Sequence, residues 1–147
     1  MINSELISRQ KTELYEVLDL LSKKSSRKDK ISVLKDHESA SLTDYLRCLF
    51  DDRIEFNLPA GAPPYEPASE ESYPSSWLRE NRQLAYIVKG LKGDNLLQVR
   101  RENIFIGILE SVHPRDAEVL IDMINKKAPK GLTKKLAQEA FPNLIPS

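Results

Sequence analysis

The sequence predicts an all-α fold, a compact bundle of about six to seven helices carrying one long proline-rich loop. Three observations predict it. Apolar residues recur at spacings of three, four and seven along most of the chain, polar cap residues stand where such segments begin, and no segment alternates well enough to be a strand.

The first helix is expected over about 4–22, with Leu6, Ile7, Leu14, Val17, Leu18 and Leu21 on one face. Ser26 opens a second over about 27–36, with Asp29 as the capping-box acid three residues on. Ser41, with Asp44 in the same role, opens a third over about 42–51, whose apolar face is Leu42, Tyr45, Leu46, Leu49 and Phe50. Residues 57–75 break the pattern with Pro59, Gly61, Pro63, Pro64, Pro67 and Pro74, alongside Glu66, Glu70 and Glu71. A loop this long in a small domain calls for a use, and it reads as an insertion within one domain spanning 1–147. Tyr65, Tyr73 and Trp77 flank it and either pack it down or present a short partner-binding patch.

Ser76 is the expected cap of a helix over about 77–91 that buries Trp77, Leu78, Leu84, Ile87, Val88 and Leu91. Lys92-Gly93-Asp94-Asn95 is a turn, with Asp94 placed to cap the next helix, which Leu97, Ile104, Phe105, Ile108 and Leu109 line to about Val112. His113-Pro114 marks the following boundary, since proline is tolerated in a first helical turn. A helix over about 115–127 buries Ala117, Leu120, Ile121 and Ile124. Ala128-Pro129-Lys130-Gly131 turns the chain into a short last helix over about 132–140, stopped by Phe141-Pro142.

At 147 residues the chain is long enough to bury a core without staples. Hydrophobic residues make up 40% and charged residues 30%, the balance of a water-exposed globular domain. Lysine plus arginine equals aspartate plus glutamate at 22 each, so no global field draws the protein to nucleic acid and any such binding must come from local patches. Cys48 stands alone among Leu46, Leu49 and Phe50, which excludes an internal disulfide or a cysteine metal cluster and reads as a core residue. No apolar run approaches the ~20 residues that span a bilayer, and the start Met1-Ile-Asn-Ser-Glu has neither a basic nor an apolar signal-peptide region, so the expectation is a cytoplasmic protein with no membrane partner.

Residues 126–135 hold Lys126, Lys127, Lys130, Lys134 and Lys135 with no acid among them. Alone, such a run is a solvated helix–turn–helix corner. Gly131 in its midst adds another reading, because a glycine ahead of a helix leaves amides uncovered where the dipole is positive, a seat for phosphate. Gly131 also suits the position that ends the preceding helix, and the two roles can coexist. A second basic run, Lys23, Lys24, Arg27, Lys28, Lys30 and Lys35, contains only Asp29 in its midst. If both runs face one side they can bridge one duplex, with about five or six phosphate contacts, steep salt dependence and micromolar to tens-of-micromolar affinity. No aromatic-rich basic face suits base stacking, which disfavours single strands.

Catalytic and metal arrangements are absent from the pattern. His37 and His113 stand beside expected helix ends and read as caps, while Asp51-Asp52 and Glu70-Glu71 are sequence neighbours that diverge rather than share a metal. No cofactor is implied.

Glu118-Val119-Leu120, Gly131, Ala137, Phe141-Pro142 and Leu144-Ile145-Pro146 fall, without a gap from His113 to Pro146, on the pattern of one known family. Upstream, Ser26-Arg27-Lys28-Asp29-Lys30 through Val33-Leu34 matches its Ser-x-Lys-x-Lys…Ile-Leu stretch, and Leu91-Lys92-Gly93-Asp94-Asn95 a Leu-Thr-Gly-Asn turn. The sequence thus resembles the N-terminal DNA-binding domain of T-even-type phage ATP-dependent DNA ligases over most of its length, the proline-rich loop excepted. The resemblance implies an all-helical, phage-encoded domain that grips duplex DNA along the minor groove through phosphates, in the host cytoplasm. Carried over by position, Gly131, Leu132 and Thr133 would offer amides and a hydroxyl to a phosphate. Lys126 stands where the family has an arginine, and Lys28 and Lys30 match basic positions of its first hairpin. Pro129 and Lys130 depart from the family's tighter Glu-Cys hairpin. The adenylation motif Lys-x-Asp-Gly does not occur, and the chain ends at Ser147, so no ligation is expected.

With the resemblance, the lysine corner reads as a phosphate-contact site. The expectation is a non-enzymatic protein that binds double-stranded or nicked DNA through Lys28, Lys30, Lys126, Lys127, Lys130, Gly131, Thr133, Lys134 and Lys135. The alternative is a protein-interaction module or phage regulator, whose acidic loop or helix surface docks on a replication, transcription or host protein. Charge neutrality and the acids of 66–71 favour that alternative.

Overall fold

In the computed structural model, which describes residues 12–146, the chain is all-helical. Helix α1 (Leu14–Ser22) starts at Glu13, which forms a reciprocal capping box with Glu16 and points Leu14, Val17, Leu18 and Leu21 inward. Leu6 and Ile7 of the expected first helix lie outside the described residues. Helix α2 (Arg27–Asp36) begins as expected, with the Ser26 hydroxyl oxygen accepting the Asp29 N–H at 3.1 Å. Helix α3 (Ala40–Phe50) begins earlier than expected. Ser39, not Ser41, is its cap and accepts the Leu42 N–H at 3.2 Å, while Asp44 receives the Asn81 amide instead of closing a box.

No regular element occupies the stretch between α3 and α4 (Trp77–Glu80), but it is strapped down throughout. Asn57 donates to the Ile87 carbonyl at 2.7 Å and Lys89 to the Glu55 carbonyl at 2.8 Å, around an antiparallel bridge between Phe56 and Val88. Asn125 grips Gly61 by both backbone groups, and Glu110 accepts the Glu66 N–H. Phe56, Leu58 and Tyr65 pack on the core, so Tyr65 fastens the loop, while Tyr73 sets its edge against His113.

That strap explains the largest departure. Instead of one helix over 77–91, the chain forms α4, a 3-10 turn (Asn81–Gln83) and α5 (Leu84–Ile87). Val88 leaves helical geometry to pair with Phe56, and Leu78 and Leu91 are exposed rather than buried. Gly93 lies flat on the Tyr86 backbone, where any β-carbon would collide with the Tyr86 carbonyl. Asp94 accepts the Gly90 N–H at 2.9–3.0 Å and the Asn57 amide rather than capping helix α6 (Gln98–Ser111), which starts at Leu97 without a side-chain cap. Leu97, expected in the core, is 76% exposed.

Helix α7 (Pro114–Ile124) packs against α1, α3 and α6 and supplies Ala117, Leu120 and Met123 to the centre. It ends before residue 127 in a Schellman turn. The Lys126 N–H reaches the Met123 carbonyl and the Lys127 N–H the Asp122 carbonyl, with Lys126 itself at φ 59°. Lys126 therefore takes the left-handed cap position considered for Gly131. Helix α8 (Lys134–Ala140) starts two residues later than expected and packs on α2 through Leu136, Ala137 and Ala140. The buried side chains, from Leu14 to Ile145, form one cluster that includes Trp77, whose Nε1 donates to the Ser41 carbonyl at 2.9 Å. Cys48 lies inside it, and burial pushes its thiol up to about 12. Among the described residues, no helix is long and apolar enough to cross a membrane.

Candidate nucleic-acid interface

Two basic segments, about a hundred residues apart in sequence, meet where α2 lies against α8. The Lys30 ammonium donates to the Gly131 carbonyl at 3.2 Å, and Arg27 pairs with Glu139. These contacts use residues 27 and 30 on one face of α2 and leave Lys28 exposed beside it. Arg27 holds the Glu139 carboxyl below its ordinary range, so this acid is answered within the surface. Glu139 carried no sequence signal of such a role, because its partner is 112 residues away.

The turn before α8 places the remaining lysines outward. Gly131 adopts φ 88°, a conformation that suits glycine, and Lys127, Lys130, Lys134 and Lys135 are exposed around it. Gly131 does not abut α8, since Leu132 and Thr133 intervene. The Leu132 N–H is used inside the turn, donating to the Pro129 carbonyl at 3.2 Å, and is withdrawn from the set of expected phosphate donors. Thr133 caps α8 by accepting the Leu136 N–H at 3.1 Å, and its hydroxyl proton remains able to donate outward. Pro129 and Lys130, where the sequence leaves the ligase pattern, are the residues that give this turn its shape.

Lys126 departs from the expected role. Its ammonium turns inward to the Cys48 and Asp51 carbonyls at the end of α3 and lies over the Phe56 ring at 5.6 Å. Burial lowers its affinity for a proton, and nearby Cys48, Asp52 and Asp51 partly restore it. The residue stays exposed, but its ammonium closes a helix C-terminus, where a cation complements the dipole.

The histidines sit at helix ends. His37 Nδ1 is 2.8 Å from the Val33 carbonyl, and His113 Nδ1 accepts the Arg115 N–H at 3.0 Å as the cap of α7. Asp51 is buried and held below its usual range by hydrogen bonds from Arg53, while Asp52 is exposed. Among the described residues, no three His, Cys, Asp or Glu side chains converge as metal ligands.

A family model described as a family of unknown function (DUF6433) matches residues 17–130, from within α1 to the turn before Gly131, and the chain belongs to that family. No curated protein and no solved structure matches the chain.

Proposed function

We propose that this member of the DUF6433 family is a non-catalytic DNA-binding protein, similar to a ligase DNA-binding domain, that grips duplex or nicked DNA through phosphates. In keeping with the ligase resemblance, it is phage-encoded and works in the host cytoplasm. The single observation that supports the reading best is the Lys30–Gly131 contact, because it sets the basic run of α2 against the lysine corner. Lys28, Lys127, Lys130, Lys134 and Lys135 then form one exposed cationic set in a protein of zero formal net charge. Phosphate contacts position a protein on DNA without reading sequence, so little base specificity is expected.

Binding of the full chain to intact and nicked duplex, titrated with salt, tests the proposal. At low salt the wild type should bind both in the micromolar to tens-of-micromolar range. The double substitution Lys134→Glu, Lys135→Glu should abolish binding and leave the melting temperature nearly unchanged, since both side chains are exposed. A wild type that binds neither duplex at low salt would refute it.

One observation favours the protein-docking reading. Leu97 is 76% and Val99 61% exposed at the start of α6, with Leu91 exposed nearby in sequence. Under that reading the lysine reversals leave activity intact, whereas Leu97→Asp with Val99→Asp disrupts it.

A further inference from the structure

Asp116, in the first turn of α7, is fully buried, and no cation among the described residues pairs with it. Its Oδ1 accepts the Tyr15 N–H at 2.7 Å, so it caps the first turn of α1 from another helix. Among the described residues, its Oδ2 has no hydrogen-bond partner of standard geometry, while the Leu14 N–H also lies near the carboxyl and favours its ionised form. The polar side chain in hydrogen-bonding contact is the Glu13 carboxyl, which the Tyr73 hydroxyl also meets.

Among the described residues, no neighbouring side chain offers a neutralising charge. On α1, Glu16 takes the Glu13 N–H at 2.9 Å and adds a second negative charge, while Tyr15 stacks on His113 with centroids 4.3 Å apart. From the loop comes Tyr73. On α7, His113 accepts the Arg115 N–H through Nδ1. The Arg115 guanidinium lies across the outer side of Tyr15 and is forked onto Asp19 with both contacts at 2.7 Å. Two neighbouring carboxyls with no cation beside them among the described residues disfavour one another's ionisation.

We infer that Asp116 and Glu13 share one proton, and that this carboxyl–carboxylate pair is a latch holding the start of α1 on α7, loosened as pH rises through neutrality. The shared proton supplies the donor that the buried Oδ2 otherwise lacks. Burial, its main cause, pushes Asp116 up to about 7, and burial followed by Glu16 raises Glu13. An unfolded chain releases the Asp116 proton near the ordinary 3.8. The native state therefore binds more protons between about pH 4 and 7, and stability is fullest below that window and falls as pH rises across it.

The test is a pH titration of the full chain by carboxyl-carbon NMR, together with melting temperatures of wild type and Asp116→Asn. Asp116 should titrate near pH 7, and the wild-type melting temperature should fall between about pH 4 and 7. The amide introduced by Asp116→Asn keeps an acceptor for the Tyr15 N–H and donates permanently to Glu13, so that fall should flatten in the variant. Titration of wild-type Asp116 in the ordinary carboxylate range would overturn the latch without reliance on any variant. So would parallel melting curves for the two proteins across that pH range.

Discussion

Lys126 carries two local costs, a non-glycine residue at φ 59° and an ammonium turned towards the interior. Both are offset by what the ammonium does for α3, whose Cys48 carbonyl has no partner within the helix. Lys126→Met keeps the stem and the backbone conformation and removes only the charge and its hydrogen bonds. It should lower stability by about 1–2 kcal/mol in urea unfolding, in line with a partly buried cation at a helix C-terminus. Affinity for duplex DNA should change less than about twofold, because this ammonium is already engaged by backbone carbonyls. Wild-type stability in Lys126→Met would show that the inward contact is idle. In the sequence Lys126 is one more lysine in a basic run, and its acceptors stand 75 and 78 residues away, so no local pattern could distinguish it. Asp116 was hidden for the same reason, since its partners Glu13 and Tyr15 belong to a helix about a hundred residues upstream.

Helices whose ends depend on neighbouring residues were legible, and those whose ends depend on distant ones were not. Ser26 and Pro114 place the starts of α2 and α7 where periodicity and capping rules put them. The buried stripes of α1, α3 and α7 also follow directly from apolar spacing, Ile121 and Ile124 of α7 being half-buried. The segment 77–91 fails as a single helix because Val88 is recruited by Phe56, a pairing that local propensity does not record. Ser39 and Ser41 stand two positions apart, and the packed helix is capped by Ser39 while Ser41, the expected cap, gives its carbonyl to Trp77. Ser39→Ala should therefore cost about 1 kcal/mol in thermal or urea unfolding. Ser41→Ala should cost less than about half of that, because its hydroxyl contacts only Ser39 Oγ. Equal losses would contradict the assignment of the cap.

At the scale of the molecule, zero formal net charge says little about binding until the fold decides which charges meet. Two basic runs were legible in the sequence, but their meeting was not, because it rests on α2 packing against α8 and on the Lys30 and Arg27 contacts. The fold also engages the Lys126 ammonium at the end of α3 and the Leu132 amide within its own turn. What remains is a smaller cationic set drawn from both runs, and the central claim is that it acts as one phosphate-binding surface. The salt dependence of duplex affinity measures this most directly. The wild-type log–log slope should be near about −4 to −5, matching about five phosphate contacts. Lys28→Ala and Lys134→Ala, one from each run, should each make the slope shallower by about one, and by about two together. A wild type without salt-dependent binding, or slopes unmoved by both substitutions, would contradict the account.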